Sequence, residues 1–159
     1  MKIKIICVGK LKEKYLKEGI EEYLKRLKRF ADVEITELAD EKIPDNPSGG
    51  EMDIVISKEG EKILKHIGKN DYIISLCVEG KQLESERFAE TISQITTFNS
   101  STITFIIGGS LGIDRRIKEM SNLKLSFSKM TFPHQLMRLV LLEQIYRAFK
   151  INNREEYHK

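Results

Sequence analysis

No stretch of this 159-residue sequence approaches the roughly 20 consecutive apolar residues needed to cross a bilayer. Its start, Met1-Lys2-Ile3-Lys4-Ile5-Ile6, alternates like a strand and lacks the continuous apolar run and small-residue cleavage site of a signal peptide. A cytoplasmic protein is the expectation. Cysteine is scarce as well: Cys7 and Cys77 each sit in a strand-like apolar run. Two thiols without CxxC spacing form neither a zinc site nor a disulfide framework, and both are read as reduced core residues. Internal repeats and low-complexity tracts are absent, so a single domain over residues 1–159 is expected.

What is present suits an ordinary core. Hydrophobic residues make up 40% of the chain against 32% charged, a balance that argues for packing and against disorder. The formal charge of +3 is unevenly spread. Residues 1–80 carry 15 basic and 16 acidic side chains, a balance of −1, whereas residues 81–159 carry 12 and 8, a balance of +4. Within residues 115–150, Arg115, Arg116, Lys118, Lys124, Lys129, Arg138, Arg147 and Lys150 face only Glu119 and Glu143. That segment is either an anion-binding surface or a solvated basic face.

Hydrophobic spacing orders the elements. Residues 2–8 read as a strand ended by Gly9. Leu16, Ile20, Tyr23, Leu24, Leu27 and Phe30 then recur at helical spacing over residues 13–30. Residues 33–38 alternate. A loop with Pro44, Pro47, Gly49 and Gly50 precedes a second helical pattern from Met52 to Ile67, interrupted by Gly60. Residues 72–78 are nearly all apolar, as expected of a strand covered on both faces, with Gly80 closing it. A third helix is expected over residues 85–98 and a β-branched strand over residues 102–107, followed by Gly108-Gly109-Ser110-Leu111-Gly112. A short helix capped by Asp114, a strand over residues 123–127 and a last helix from Pro133 to about Lys150 complete the chain. Strands alternating with helices predict an α/β fold around a mainly parallel sheet.

In open α/β sheets, ligands bind beyond the carboxyl ends of the strands. Three loops fall there: after Val78, at residues 108–112 and at residues 126–134. The glycine loop suits close approach of a ligand to backbone, but it lacks the Lys-Ser/Thr of a P-loop and the spacing of GxGxxG. A tight strand-to-helix turn explains it equally. In residues 125–134, Phe127, Met130 and Phe132 are interleaved with hydroxyls and Lys129, a mixture fit either for an aromatic ligand or for a core strand and its exit. The last helix is apolar around almost its whole circumference (Leu136, Met137, Leu139, Val140, Leu141, Leu142), which predicts a second subunit against it. On it Glu143 and Arg147, and His134 and Arg138, stand at i, i+4. The polar tail ends Tyr157-His158-Lys159, either frayed or suited to stacking on a base.

Together these motifs form a pattern. Ile106-Ile107-Gly108-Gly109-Ser110-Leu111-Gly112, the block from Ser128 through Pro133-His134 to Arg138, Glu143-Gln144-Ile145-Tyr146-Arg147-Ala148-Phe149 and the terminal Tyr157-His158-Lys159 resemble the RlmH family. These are small bacterial SPOUT-class methyltransferases acting on pseudouridine of large-subunit ribosomal RNA. The resemblance spans the whole chain, with Glu156 standing where the family tail usually has Pro. It implies a C-terminal deep trefoil knot, which periodicity does not reveal. It further implies a knot cavity for S-adenosylmethionine at Leu76, Gly108, Phe127, Ser128, Lys129, Met130, Thr131 and Phe132, no metal, and a homodimer combining both subunits in its active site. On this reading Arg147 and Tyr157 meet the substrate base and His158 accepts its N3 proton, with His134 as a rival. The basic segment meets RNA phosphates, and an assembled ribosome is the natural substrate. A SPOUT transfer-RNA methyltransferase and a non-catalytic nucleotide-binding, ribosome-associated module are the alternatives.

Overall fold

Ile3, Ile5 and Cys7 alternate with Ile6 and Val8, and all five are buried, so this strand must be covered on both faces. The structure, a computed structural model describing residues 1–159, provides those two layers. Strands β1 (Lys2–Val8), β2 (Asp32–Leu38), β3 (Tyr72–Gln82), β4 (Thr102–Ile107) and β5 (Leu123–Ser126) form one sheet in the order β2-β1-β4-β3-β5, every pair parallel. The helices are α1 (Lys14–Leu27), α2 (Gly49–Leu64), α3 (Ser85–Phe98), α4 (Arg115–Met120) and α5 (His134–Asn152).

The strand order decides where the helices go. The steps β1 to β2 and β3 to β4 run in one direction across the sheet, so right-handed crossovers place α1 and α3 on one face. The steps β2 to β3 and β4 to β5 run the other way and place α2 and α4 on the opposite face. Two cores result. Ile3, Ile5, Phe105 and Ile74 pack under α1, α3 and α5; Ile6, Val8, Ile106 and Ile73 pack under α2 and α4 with Ile63, Ile113 and Ile117.

Helix α5 lies between α1 and α3. Leu139 packs at Gly19, Tyr146 meets Tyr23 edge-on at 6.1 Å, Phe149 stacks on Phe30 at 5.3 Å, and Ser85 Oγ donates to Gln144 Oε1 at 2.9 Å. The sheet, α1 and α3 therefore cover three sides of α5, and its apolar circumference needs no second subunit to explain most of it. Only the stripe Leu136, Val140, Glu143 and Arg147 faces away from the sheet, half-buried.

Two boundaries beside the carboxyl ends of the strands differ from the sequence expectation. Gly80 does not close β3, which continues to Gln82. Between Leu76 and Lys81 the register with β5 shifts, so residues 77–80 bulge out of the ladder. Gly80 is the crossing point: a Cβ there would sit 2.8 Å from the backbone of Lys124 and Leu125. Strand β5 ends at Ser126, releasing Phe127 into a loop. Asp114 does cap α4, accepting from Arg116 N at 2.8 Å. Gly60 in α2 packs against the Asp114 side chain, which explains a glycine in mid-helix.

Candidate active site

The carboxyl ends of β3, β4 and β5 bound a cavity of about 320 Å³. Each wall has a local cause. The β3 bulge turns Leu76, Cys77, Val78 and Glu79 into it. Beyond β4, Gly112 N donates to Gly109 O at 3.0 Å and Gly112 adopts φ +96°, closing the Gly108–Gly112 loop as a tight turn. The third wall is the passage of residues 127–133 from the sheet edge at β5 to the head of α5 beside β1. It is shaped locally by Ser126 Oγ donating to Ser128 O (3.0 Å) and Met130 N donating to Ser128 Oγ (2.9 Å).

Of the residues expected to hold a cofactor, Leu76, Gly108, Phe127, Ser128, Met130, Thr131 and Phe132 line this cavity. Lys129 does not: it points into solvent between two lining residues. Gly108 acts through its own loop, because a Cβ there would lie 2.7 Å from Ile113 Cγ1 and 2.8 Å from Gly112 O. The glycine loop and the loop after Val78 were foreseen as ligand loops, but Glu79 was not singled out within its loop, and Lys118 and Met137 were missed as lining residues. A charged residue directly after an apolar strand, as at Glu79, was the available signal. Lys118 Nζ donates to Glu79 Oε1 at 2.5 Å, a charge pair in the wall.

The dimensions suit S-adenosylmethionine. Ligands of that size occupy cavities of about 300–1,000 Å³. Ile107, Phe127, Phe132 and Met137 offer apolar surface for a purine, while Ser110, Thr131 and the Lys118–Glu79 pair offer partners for hydroxyls, a carboxylate and an ammonium.

A second constellation stands on the outer stripe of α5. Arg147 Nη2 donates to Glu143 Oε1 at 2.8 Å, and the Tyr157 hydroxyl donates to the same oxygen at 2.8 Å. The Arg147 guanidinium also lies over the Tyr157 ring, 4.7 Å from its centroid. Burial and the Glu143 carboxylate raise the Tyr157 pKa, keeping the phenol neutral. Arg147 Nη1 approaches His158 Nδ1 at 3.1 Å, and His158 Nε2 lies 2.8 Å from Glu86 Oε1. A guanidinium can only donate and a carboxylate only accept, so the network assigns the lone pair to Nδ1 and the proton to Nε2. The tail is thus folded back rather than frayed. None of Arg147, Tyr157 and His158 lines the cavity of the same chain.

The basic segment is less available than its sequence implies. Arg115 pairs with Glu119, Arg116 with Asp114 and Glu61, Lys118 with Glu79, Arg138 with Glu37, Arg147 with Glu143 and Lys150 with Glu155. Of the eight cations only Lys124 and Lys129 have no carboxylate partner, so net charge there is mostly neutralised by acids from other elements.

The chain is similar to known proteins along its whole length. A family model described as predicted SPOUT methyltransferase matches residues 1–158. Proteins named ribosomal RNA large subunit methyltransferase H from Bacillus cytotoxicus and from Streptococcus pyogenes serotype M49 are 60% and 57% identical over 159 residues, covering the whole of each chain. Among solved structures, a probable methylase family protein from Haemophilus influenzae Rd KW20 matches with a TM-score of 0.53 at 12% identity, over 99% of this chain and 70% of that one, a likeness of fold alone.

Proposed function

This chain belongs to the SPOUT methyltransferase family, and from that premise we propose that it methylates N3 of a pseudouridine in large-subunit ribosomal RNA, with S-adenosylmethionine as donor, as a cytoplasmic homodimer. It is a methyltransferase, and the relatives matched along their full length carry the ribosomal RNA large subunit in their names. The observation that carries the reading is the cavity at the ends of β3, β4 and β5, where loops distant in sequence converge on one ligand-sized space. We take residues 1–159 as one catalytic domain, with the 127–133 passage as part of the family's trefoil knot.

S-adenosylmethionine supplies an activated methyl group on a sulfonium. What the chain must add is a seat, alignment of the attacking nitrogen and removal of its proton. The walls at residues 76–79 and 107–113 and the 127–132 loop provide the seat. On the substrate side, Tyr157 offers a ring and Arg147 a guanidinium fixed by Glu143, a pair suited to stacking on a base and holding its carbonyl or phosphate. Because that cluster lies on the outside of α5, it reaches an active site only through the homodimer, in which the tail of one protomer faces the cavity of its partner. The upper outer stripe, Leu136 and Val140, supplies apolar surface for that contact. With most basic side chains of residues 115–150 already paired, recognition rests on the shape of a ribosomal site more than on charge.

Incubation with methyl-labelled cofactor and ribosomal subunits lacking the modification, followed by mass spectrometry of RNA digests, tests the reading. The expected product is a single N3-methylated pseudouridine in the large-subunit RNA. Label confined to transfer RNA, or no label at all, overturns it.

A further inference from the structure

We propose that His134, and not His158, is the catalytic residue that accepts the proton from the target nitrogen. The proposal rests on the methyltransferase reading above and goes further by assigning the base. Position separates the two imidazoles. His134 is a wall residue of the cavity, at the first helical position of α5, with its Nε2–Cδ2 edge packed against Gly9. His158 lies outside that cavity.

Availability separates them further. The His158 lone pair on Nδ1 is taken by Arg147, and its Nε2–H is turned to Glu86, so it has no free acceptor. Neither ring nitrogen of His134 is hydrogen-bonded to any protein group, and a neutral imidazole always carries one lone pair.

The surroundings keep that lone pair free. Burial, and then the Arg138 charge one turn along α5, lower the His134 pKa below its ordinary value, with Asp40 beyond β2 opposing in part. Arg138 is itself 2% exposed, donating through Nη1 to Glu37 Oε2 (2.5 Å) and through Nη2 to Gly9 O (3.1 Å). Its Nε has no partner. Glu37 thus balances the guanidinium from β2, with Lys10 nearby, and Cys7 on β1 is an un-ionised thiol. The positive end of α5 adds to the penalty on a charged imidazole. Arg138 is a positioning residue: it ties the head of α5 to the ends of β1 and β2 and holds His134 neutral at physiological pH.

The step balances. The imide N–H bond of the base breaks, its proton forms an N–H bond on the imidazole, and the nitrogen's electron pair forms the new bond to the methyl carbon. The electrons of the broken carbon–sulfur bond stay on sulfur. The positive charge moves from the sulfonium to the imidazolium, which water then deprotonates.

The test compares His134→Asn, His134→Ala and His158→Asn under single-turnover conditions on the ribosomal substrate that the wild-type protein methylates. If the wild type itself labels no RNA, the functional reading fails before this assignment is reached. Given wild-type turnover, a positioned base contributes about 10²–10⁴-fold, so His134→Asn and His134→Ala should lose that much in rate while cofactor affinity by calorimetry stays within about threefold. Added imidazole should restore part of the rate to His134→Ala. His158→Asn should keep the wild-type acid limb of the pH–rate profile, which His134→Asn should lack. Independently of activity, the His134 ring resonance of the wild-type protein should titrate below 6.5. A His134→Asn variant with wild-type rate, a His134 resonance titrating above 6.5, or an acid limb that disappears with His158 instead would each overturn the assignment.

Discussion

Replacing Gly108 by alanine tests how the glycine loop makes the cavity. The added Cβ would lie 2.7 Å from Ile113 Cγ1, 2.8 Å from Gly112 O and 2.9 Å from Gly112 C, distances that real Cβ atoms do not keep. Two of the three obstacles are backbone, so no rotamer change relieves them, and the Gly108–Gly112 loop must move. Overpacking of this kind costs about 1–3 kcal/mol. If the loop holds, the cost appears as lost stability, about 2–4 °C in Tm per kcal/mol for a chain of this size. If it yields into the cavity, the same energy appears in the Kd for S-adenosylmethionine, about 5- to 150-fold weaker. Calorimetry and thermal unfolding on the same sample read both. Gly112→Ala is the internal comparison: nothing lies within 4 Å of its Cβ, and only φ +96° is strained, at about 1 kcal/mol. Gly50→Ala, with Ser48 Oγ 3.9 Å away as its nearest neighbour, should be neutral or slightly stabilising. Unchanged Tm together with unchanged Kd for Gly108→Ala would refute the packing argument and the placement of the cavity wall.

Deleting residues 154–159 should abolish turnover and leave cofactor binding intact, because the tail packs on Glu143, Arg147 and Glu86 rather than on the cavity; full activity by RNA labelling would contradict its role. Val140→Arg places a charge on the outer stripe of α5 and should convert the dimer to a folded monomer in sedimentation equilibrium at about 10 μM, whereas an unchanged mass would mean that the dimer forms elsewhere. The Arg116 hydrogen bonds hold the Asp114 carboxyl below its ordinary pKa against the opposing effect of burial. A depressed folded-state pKa contributes stability above the unfolded pKa and loses it as pH falls through the folded one. Asp114→Asn keeps the helix cap, so its urea midpoint should fall below wild type at pH 7 and converge with it in acid; a gap independent of pH would be the contrary result. Burial pushes the Cys7 thiol up to about 12, so iodoacetamide at pH 8 should label Cys7 only in urea, as mass spectrometry of digests would show; labelling in the native state would disprove its burial.

Alternation and helical spacing made β1, β4, α1 and α3 legible because burial on a strand or helix is written locally, at two or three to four residues. The three walls of the cavity followed from the rule that ligands sit at the ends of parallel strands, and the RlmH resemblance named a part of the residues that line it, chiefly those of the 127–132 loop. What escaped is tertiary in origin. Gly80 reads as a strand end until β5 is laid across it, and the bulge that turns Glu79 inward exists only in that pairing. The basic run of residues 115–150 looks unpaired along the chain, yet Arg116 finds Glu61 55 residues away and Arg138 finds Glu37 101 residues away. The Glu143–Arg147 pair was visible at i, i+4, but no spacing rule returns Tyr157 to Glu143 across 14 residues.

The two histidines show why such contacts decide chemistry. In sequence, His158 stands in an aromatic, cationic tail and His134 at a helix start, which favours the tail as the reactive end. Folding reverses the comparison, because a proton acceptor needs a lone pair that nothing else has taken. Glu86 and Arg147 occupy both nitrogens of His158, while Gly9, having no side chain, lets the His134 ring settle against backbone that offers it no hydrogen bond. A side chain at position 9 would press on that ring at 2.9 Å, and φ +101° already demands glycine there. The residue that ends the first strand therefore also sets the position of the cavity's imidazole, a link between the fold's first turn and its last helix that no local pattern records.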